Sequence, residues 1–123
     1  MGEIEHSQAL MHEVGLMESV LELVASQVRE AGASRAHVVR LRVGRLSGVV
    51  PEAMSTAFEV LRAGTVAEGG ELVIEDIAGA CWCAGCGEEF ETDEWLCECP
   101  RCGAVSGDLR RGRELELASL EVS

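Results

Sequence analysis

The sequence predicts an α+β fold, a small mixed sheet with two helices, with a cysteine-rich module inserted before the last strand. Three observations predict it. Apolar residues recur at helical steps in two segments and at strand steps in three others. All six cysteines and both tryptophans fall between Gly79 and Arg111, a stretch with few aliphatic residues that cannot build an ordinary core. Strand signals flank that stretch on both sides, so it reads as an insert between strand segments.

Glu13 to Glu30 reads as the first helix: Val14, Met17, Val20/Leu21, Val24 and Val28 form an apolar stripe, with Glu18, Glu22 and Arg29 among the polar positions. Ala31-Gly32-Ala33 ends it, because glycine tolerates the left-handed cap conformation. His37 to Gly44 alternates, with Val39, Leu41 and Val43 on one face and Arg40 and Arg42 on the other. Pro51 fits the first turn of a second helix, whose apolar stripe is Met54, Ala57, Phe58 and Leu61. Ala63-Gly64 closes that helix, and Glu68-Gly69-Gly70 turns the chain into a strand from Glu71 to Ile77. The tail Arg113 to Val122 alternates as a final strand, with a phase slip near Ala118-Ser119 that suggests a bulge.

Composition narrows the function classes. The 123 residues are 47% hydrophobic but only 3% aromatic, so the core is built from Val, Leu, Ala and Met. Lys and Arg number 10 against 22 Asp and Glu, a net charge of -12. That balance argues against nucleic acid, which is bound by neutralising phosphates. No stretch approaches the roughly twenty apolar residues of a membrane span. The start Met1-Gly2-Glu3-Ile4-Glu5-His6 lacks the basic and apolar regions of a signal peptide, so the expected location is cytoplasmic. In a reducing compartment, paired cysteines are expected as metal ligands rather than disulfides. No nucleophile–base constellation or phosphate loop supports an enzyme.

The firmest chemistry lies in two Cys-x-x-Cys-Gly turns, Cys83 with Cys86 and Cys99 with Cys102, separated by twelve residues. Each turn aims two sulfurs at one point, and two facing turns supply four thiolates at the corners of a tetrahedron, which suits Zn²⁺. The segment between the turns, with Phe90 and Trp95, is expected to supply the arms of a hairpin. Cys81 and Cys97 each lie two residues before a pair and are set aside as buried or spare thiols. A closed four-thiolate site is structural rather than catalytic. Two other readings use the same cysteines: a zinc-ribbon interaction module, and a rubredoxin-like Fe–S₄ electron carrier, although rubredoxin knuckles lie much further apart.

A second constellation lies near the N-terminus. Met11-His12-Glu13-Val14-Gly15-Leu16 before a helix, Leu41-Arg42-Val43-Gly44 with Leu46-Ser47, then Phe58, Gly64-Thr65-Val66-Ala67-Glu68-Gly69 and the two knuckles occur in one order. In that order they resemble the HypA/HybF family of hydrogenase-maturation nickel chaperones, over essentially Met11 to Val122. The resemblance implies His12 as the nickel-binding histidine, Glu13 as the neighbouring acidic residue of that site, and Cys83, Cys86, Cys99 and Cys102 as structural zinc ligands. It implies a nickel-binding α+β domain at residues 11–78 and 112–123, a zinc-ribbon-like domain at 79–111, and an N-terminal extension at 1–10. Zn²⁺ is then structural and Ni²⁺ a transient cargo. The implied partners are a HypB-type GTPase and the large subunit of [NiFe] hydrogenase, with urease served by some members and a homodimer compatible with the pattern. Of the other histidines, His37 is expected to be structural or exposed.

Nickel takes imidazole and nitrogen donors, often in a square plane. A terminal amine at Met11, the adjacent backbone amides and His12 would make such a plane. Here ten residues precede Met11, which turns that amine into an amide. Three readings stand: Met11 is the true initiator; the extension folds back and lends His6 or a carboxylate; or the extension has no function.

Overall fold

The computed structural model describes residues 2–94 and 96–123, with side chains from residue 12 onward. Trp95, expected in a hairpin arm, lies outside the described residues, as do the side chains of His6 and Met11. The architecture is α+β, with two helices and small sheets.

Helix α1 runs from Gly2 to Glu30 and so begins well before the stripe that predicted it. Residues 2–12 carry no proline and are mostly Glu, Gln, Ala, Leu and Met, good helix formers even where the apolar spacing is lost. Its end is the expected glycine cap: Gly32 has φ 67, and Ala33 N–H donates to Val28 O across the last turn. Strand β1, Ala36–Gly44, follows, and then α2, Pro51–Leu61, with Pro51 in its first turn.

Strand β2, Glu71–Ile77, lies beside β1. Ala36 N–H donates to Val66 O near the start of both strands, and Arg45 N–H donates to Ile77 O at their ends. The two therefore run in the same direction with α2 as the crossover. The last strand, which becomes β8 below, covers Leu115–Val122 on the other side of β1, giving the order β2-β1-β8. Arg35 exchanges hydrogen bonds with Ser123, and Gly44 N–H donates to Glu114 O, so this pair is antiparallel and the sheet is mixed. At the phase slip Ala118 and Ser119 are both exposed, in a strand that is nevertheless unbroken.

The cysteine-rich stretch forms β3 (Gly79–Cys83), β4 (Glu88–Thr92), β5 (Cys97–Glu98), β6 (Val105–Ser106) and β7 (Leu109–Arg111). The segment between the knuckles does not form one hairpin, as the sequence suggested. Instead β4 pairs with β3, and β5 pairs with β6. The reason is local: each knuckle is itself the turn. Gly87 N–H donates to Cys83 O and Gly103 N–H to Cys99 O, with φ of 68 and 76 at the two glycines.

The chain divides into two compact units. The first comprises residues 1–41, 50–74 and 117–123; its buried side chains include Met17, Val24, Val28, Val39, Leu41, Met54 and Phe58, where α1 packs on α2. The second comprises residues 42–49 and 75–116, and its core is Leu46, Phe90 and Leu109 with Cys81, Cys83, Cys97 and Cys99. Its backbones approach closely at glycines. A Cβ on Gly112, where φ is 117, would lie 2.7 Å from Gly79 Cα.

Candidate metal sites

Strand β3 ends on Cys83 and its turn carries Cys86; β5 leads into Cys99, and the second turn carries Cys102. The four sulfurs all lie within 4.8 Å of one another. Cys83 and Cys102 sulfurs are 3.5 Å apart, and those of Cys86 and Cys99 are 4.0 Å apart. A tetrahedral ion with bonds of about 2.3 Å to sulfur sets its ligands about 3.8 Å apart, so the cluster has the size a four-thiolate metal centre needs. The sulfurs are graded from core to surface: Cys83 and Cys99 are buried, Cys86 is half-buried and Cys102 is exposed. Arg101 ties the second knuckle to the first hairpin through Glu88 Oε2 at 2.5 Å and the Glu89 carbonyl at 3.5 Å.

The thiols differ electrostatically. Backbone N–H groups of Cys102 and Arg101 point at the Cys99 sulfur and lower its pKa to about 6. The sulfurs of Cys102 and Cys83 instead hold the proton on Cys86, pushing it up to about 12. Without metal, Cys99 is therefore the easier of these two thiols to ionise and Cys86 the harder.

Cys81 and Cys97 are not spare thiols. They form a disulfide, the two sulfurs being joined and both residues buried, at 0% and 2% exposure. Alternation on β3 puts Cys81 on the same face as Cys83, and the position before the second knuckle meets it from the other hairpin. The sequence signal was the repeated Cys-x-Cys-x-x-Cys, whose first members are as alike as the metal-ligand pairs.

His12 and Glu13 lie inside α1 rather than at its entrance. The His12 side chain is 61% exposed and that of Glu13 is 1% exposed, and His12 Nδ1 lies 2.9 Å from Glu13 Oε1. Glu13 is the buried charged residue among those described, and its Oε2 has no hydrogen-bond partner among them. A buried carboxylate oxygen left unpaired costs free energy until a proton or cation reaches it. The surrounding backbone is helical, so its N–H groups belong to the helix ladder and are not free to wrap a metal in this conformation. His37 Nε2 meets Ser123 Oγ at 2.5 Å and is exposed, as expected.

Residues 11–122 match the family model described as hydrogenase/urease nickel incorporation, metallochaperone, hypA. The hydrogenase maturation factor HypA of Rhizobium leguminosarum bv. viciae is 44% identical over 112 residues, covering 91% of this chain and 99% of that protein. The factor of the same name from Picosynechococcus sp. is 39% identical over the same shares. The solution structure of the Ni metallochaperone HypA from Helicobacter pylori superposes with a TM-score of 0.63 at 23% identity, over 89% of this chain and 96% of that one. A second solution structure, of a HypA protein, gives 0.66 at 24% identity over 92% and 97%. At those identities the two structures bear on the fold alone.

Proposed function

The chain belongs to the HypA family of hydrogenase and urease nickel-incorporation metallochaperones, and from that premise we propose that it binds Ni²⁺ at His12 and Glu13 and delivers it to [NiFe] hydrogenase. It is a carrier, not an enzyme. Nickel is its cargo. Zn²⁺ held by Cys83, Cys86, Cys99 and Cys102 is structural, and supplies a closed four-thiolate centre around which the two knuckles fold. Residues 11–78 and 112–123 make up the nickel-binding part of this reading, and 79–111 the zinc-binding part. The recipient is the hydrogenase large subunit, a HypB-type GTPase works beside the carrier, and the setting is the cytoplasm. Among the described residues no helix is long and apolar enough to cross a membrane.

The observation that carries the nickel reading is the pair at the family's motif: an exposed imidazole with a buried carboxylate whose second oxygen lacks a partner among the described residues. A cation beside His12 would meet Oε1, the oxygen that faces the ring, and so offset the charge of the buried carboxylate. The zinc-ribbon and Fe–S₄ readings account for the cysteines but leave Glu13 without a purpose. Because the turn around His12 is helical, nickel is taken first by side chains, and a square plane that includes backbone amides requires this turn to unwind. Intact mass of the native protein tells whether Met11 carries the amine that would complete such a plane.

The test is nickel titration of zinc-loaded protein, with bound metals counted, for wild type, His12→Ala and Glu13→Gln. Both variants should keep their zinc and lose nickel affinity by about tenfold or more. Unchanged nickel affinity in both would overturn the assignment.

A further inference from the structure

We propose that Cys81 and Cys97 are a reversible dithiol–disulfide site, and that its closure and metal occupancy of the neighbouring thiolate cluster stabilise one another. The second half rests on the reading that Cys83, Cys86, Cys99 and Cys102 hold a metal; the first half does not.

Topology supplies the first reason. Strands β4-β3-β7 form one sheet and β5-β6 another, with no ladder joining the two among the described residues. Cys81 belongs to the first, opposite Phe90 and Leu109, and Cys97 to the second, opposite Ser106. The disulfide therefore spans the two sheets. The thiolate cluster spans the same two hairpins, because each knuckle is the turn of one of them. Two clamps of different chemistry thus fasten one joint, with the Ser106 Oγ to Trp82 carbonyl hydrogen bond of 2.7 Å between them.

Chain entropy makes the clamps interdependent. With neither closed, a metal must bring Cys83 and Cys86 to Cys99 and Cys102 across the whole intervening segment. With Cys81 joined to Cys97, Cys99 is already held two residues from the bond, and the loop left to close is far shorter. By linkage, whatever the disulfide adds to metal affinity, the metal adds equally to the disulfide. Burial adds a kinetic gate. Cys81 and Cys97 are 0% and 2% exposed. An attacking thiolate must line up with the S–S bond, so the hairpins have to part first, and a bound metal holds them together.

The reaction partners are thiols and disulfides. A dithiol reductant attacks one sulfur, the Cys81–Cys97 bond breaks, and a mixed disulfide forms. The reductant's second thiol then displaces the protein cysteine. Two electrons and two protons pass to Cys81 and Cys97, and the reductant leaves as a disulfide. In the reverse direction the two thiols are oxidised by glutathione disulfide, which departs as two molecules of glutathione. The four ligand cysteines are free thiols in the structure, so the exchange separates the six cysteines cleanly into a pair and a quartet.

The test uses the full zinc-loaded chain in glutathione buffers running from reducing to oxidising. Samples are acid-quenched and alkylated in denaturant, and intact mass counts the adducts. Four adducts at the oxidising end and six at the reducing end, in one two-electron step, are expected. Zinc release to a colorimetric chelator is then timed for oxidised wild type, reduced wild type and Cys81→Ser with Cys97→Ser. The oxidised form should release zinc roughly tenfold more slowly, a usual size for coupling between sites. The double variant should match reduced wild type and ignore the glutathione ratio. Six adducts throughout would overturn the redox site, and equal release rates would overturn the coupling. A chain that carries the disulfide but no stoichiometric zinc would overturn the metal reading and the coupling together, while the adduct count stands by itself.

Discussion

Replacing Glu13 by methionine should stabilise the nickel-free protein and abolish its stabilisation by nickel. The side chain is fully buried, one oxygen meets His12 Nδ1 at 2.9 Å, and the other has no partner among the described residues. Methionine matches the length, removes both polar oxygens, and leaves His12, exposed at 61%, free to be solvated. Relief of one unpaired buried oxygen is worth about 1–3 kcal/mol, less about 1 kcal/mol for the lost His12 hydrogen bond. In a domain of this size the net gain raises the melting temperature by a few degrees, at about 4 °C per kcal/mol. Nickel at a hundred times its dissociation constant should add about 2.7 kcal/mol to wild type. It should add nearly nothing to the variant, so the order of stability reverses when nickel is added. Thermal unfolding of zinc-loaded protein with and without Ni²⁺ reads both numbers. A variant less stable than wild type without nickel would mean that Oε2 is already satisfied. A variant that nickel stabilises as much as wild type would remove Glu13 from the site.

Other outcomes are expected. Cys83→Ala should lose its zinc and its protease resistance between Gly79 and Arg111, as read by metal analysis and limited proteolysis; retained stoichiometric zinc would count against the ligand set. Gly112→Ala forces a side chain into a positive φ of 117 and toward Gly79 Cα, and should cost about 2–4 kcal/mol in denaturant unfolding. Gly15→Ala is the contrast, since a Cβ there meets nothing within 4 Å inside α1, and it should add up to about 1 kcal/mol. In metal-free protein the lowered Cys99 pKa stabilises the fold fully above the unfolded value of 9.0, and this contribution is lost as pH falls through about 6. Thiolate absorbance followed against pH should show that first ionisation, and it should vanish in Cys99→Ser. Zinc-loaded protein should be colourless, whereas visible charge-transfer bands would point to an Fe–S₄ centre.

Much of this protein is legible in its sequence because the signals are local. Two knuckles of Cys-x-x-Cys-Gly each close on their own glycine, so four sulfurs could be grouped from spacing alone, and the structure brings them within 4.8 Å. The stripe from Met17 to Val28, the alternation of β1, and Pro51 at the start of α2 likewise use neighbours a few residues apart. The order of short motifs from Met11 to Cys102 was enough to place the family.

What the tertiary structure decided are the long-range partners. No periodicity tells that Cys81 meets Cys97, because that bond depends on how two hairpins face each other. Nor does it tell that β4 turns back on β3, or that Leu46 joins the cysteine core. His12 read as the entrance to a helix and proved to lie within one, because good helix formers carry α1 back to Gly2 where the apolar stripe is silent. Glu13 was expected as the acidic neighbour of His12, and its burial is set by what packs around it. The thiolates follow from spacing along the chain. The burial of the Glu13 carboxylate and the pairing of Cys81 with Cys97 follow from packing across it, which spacing along the chain does not set.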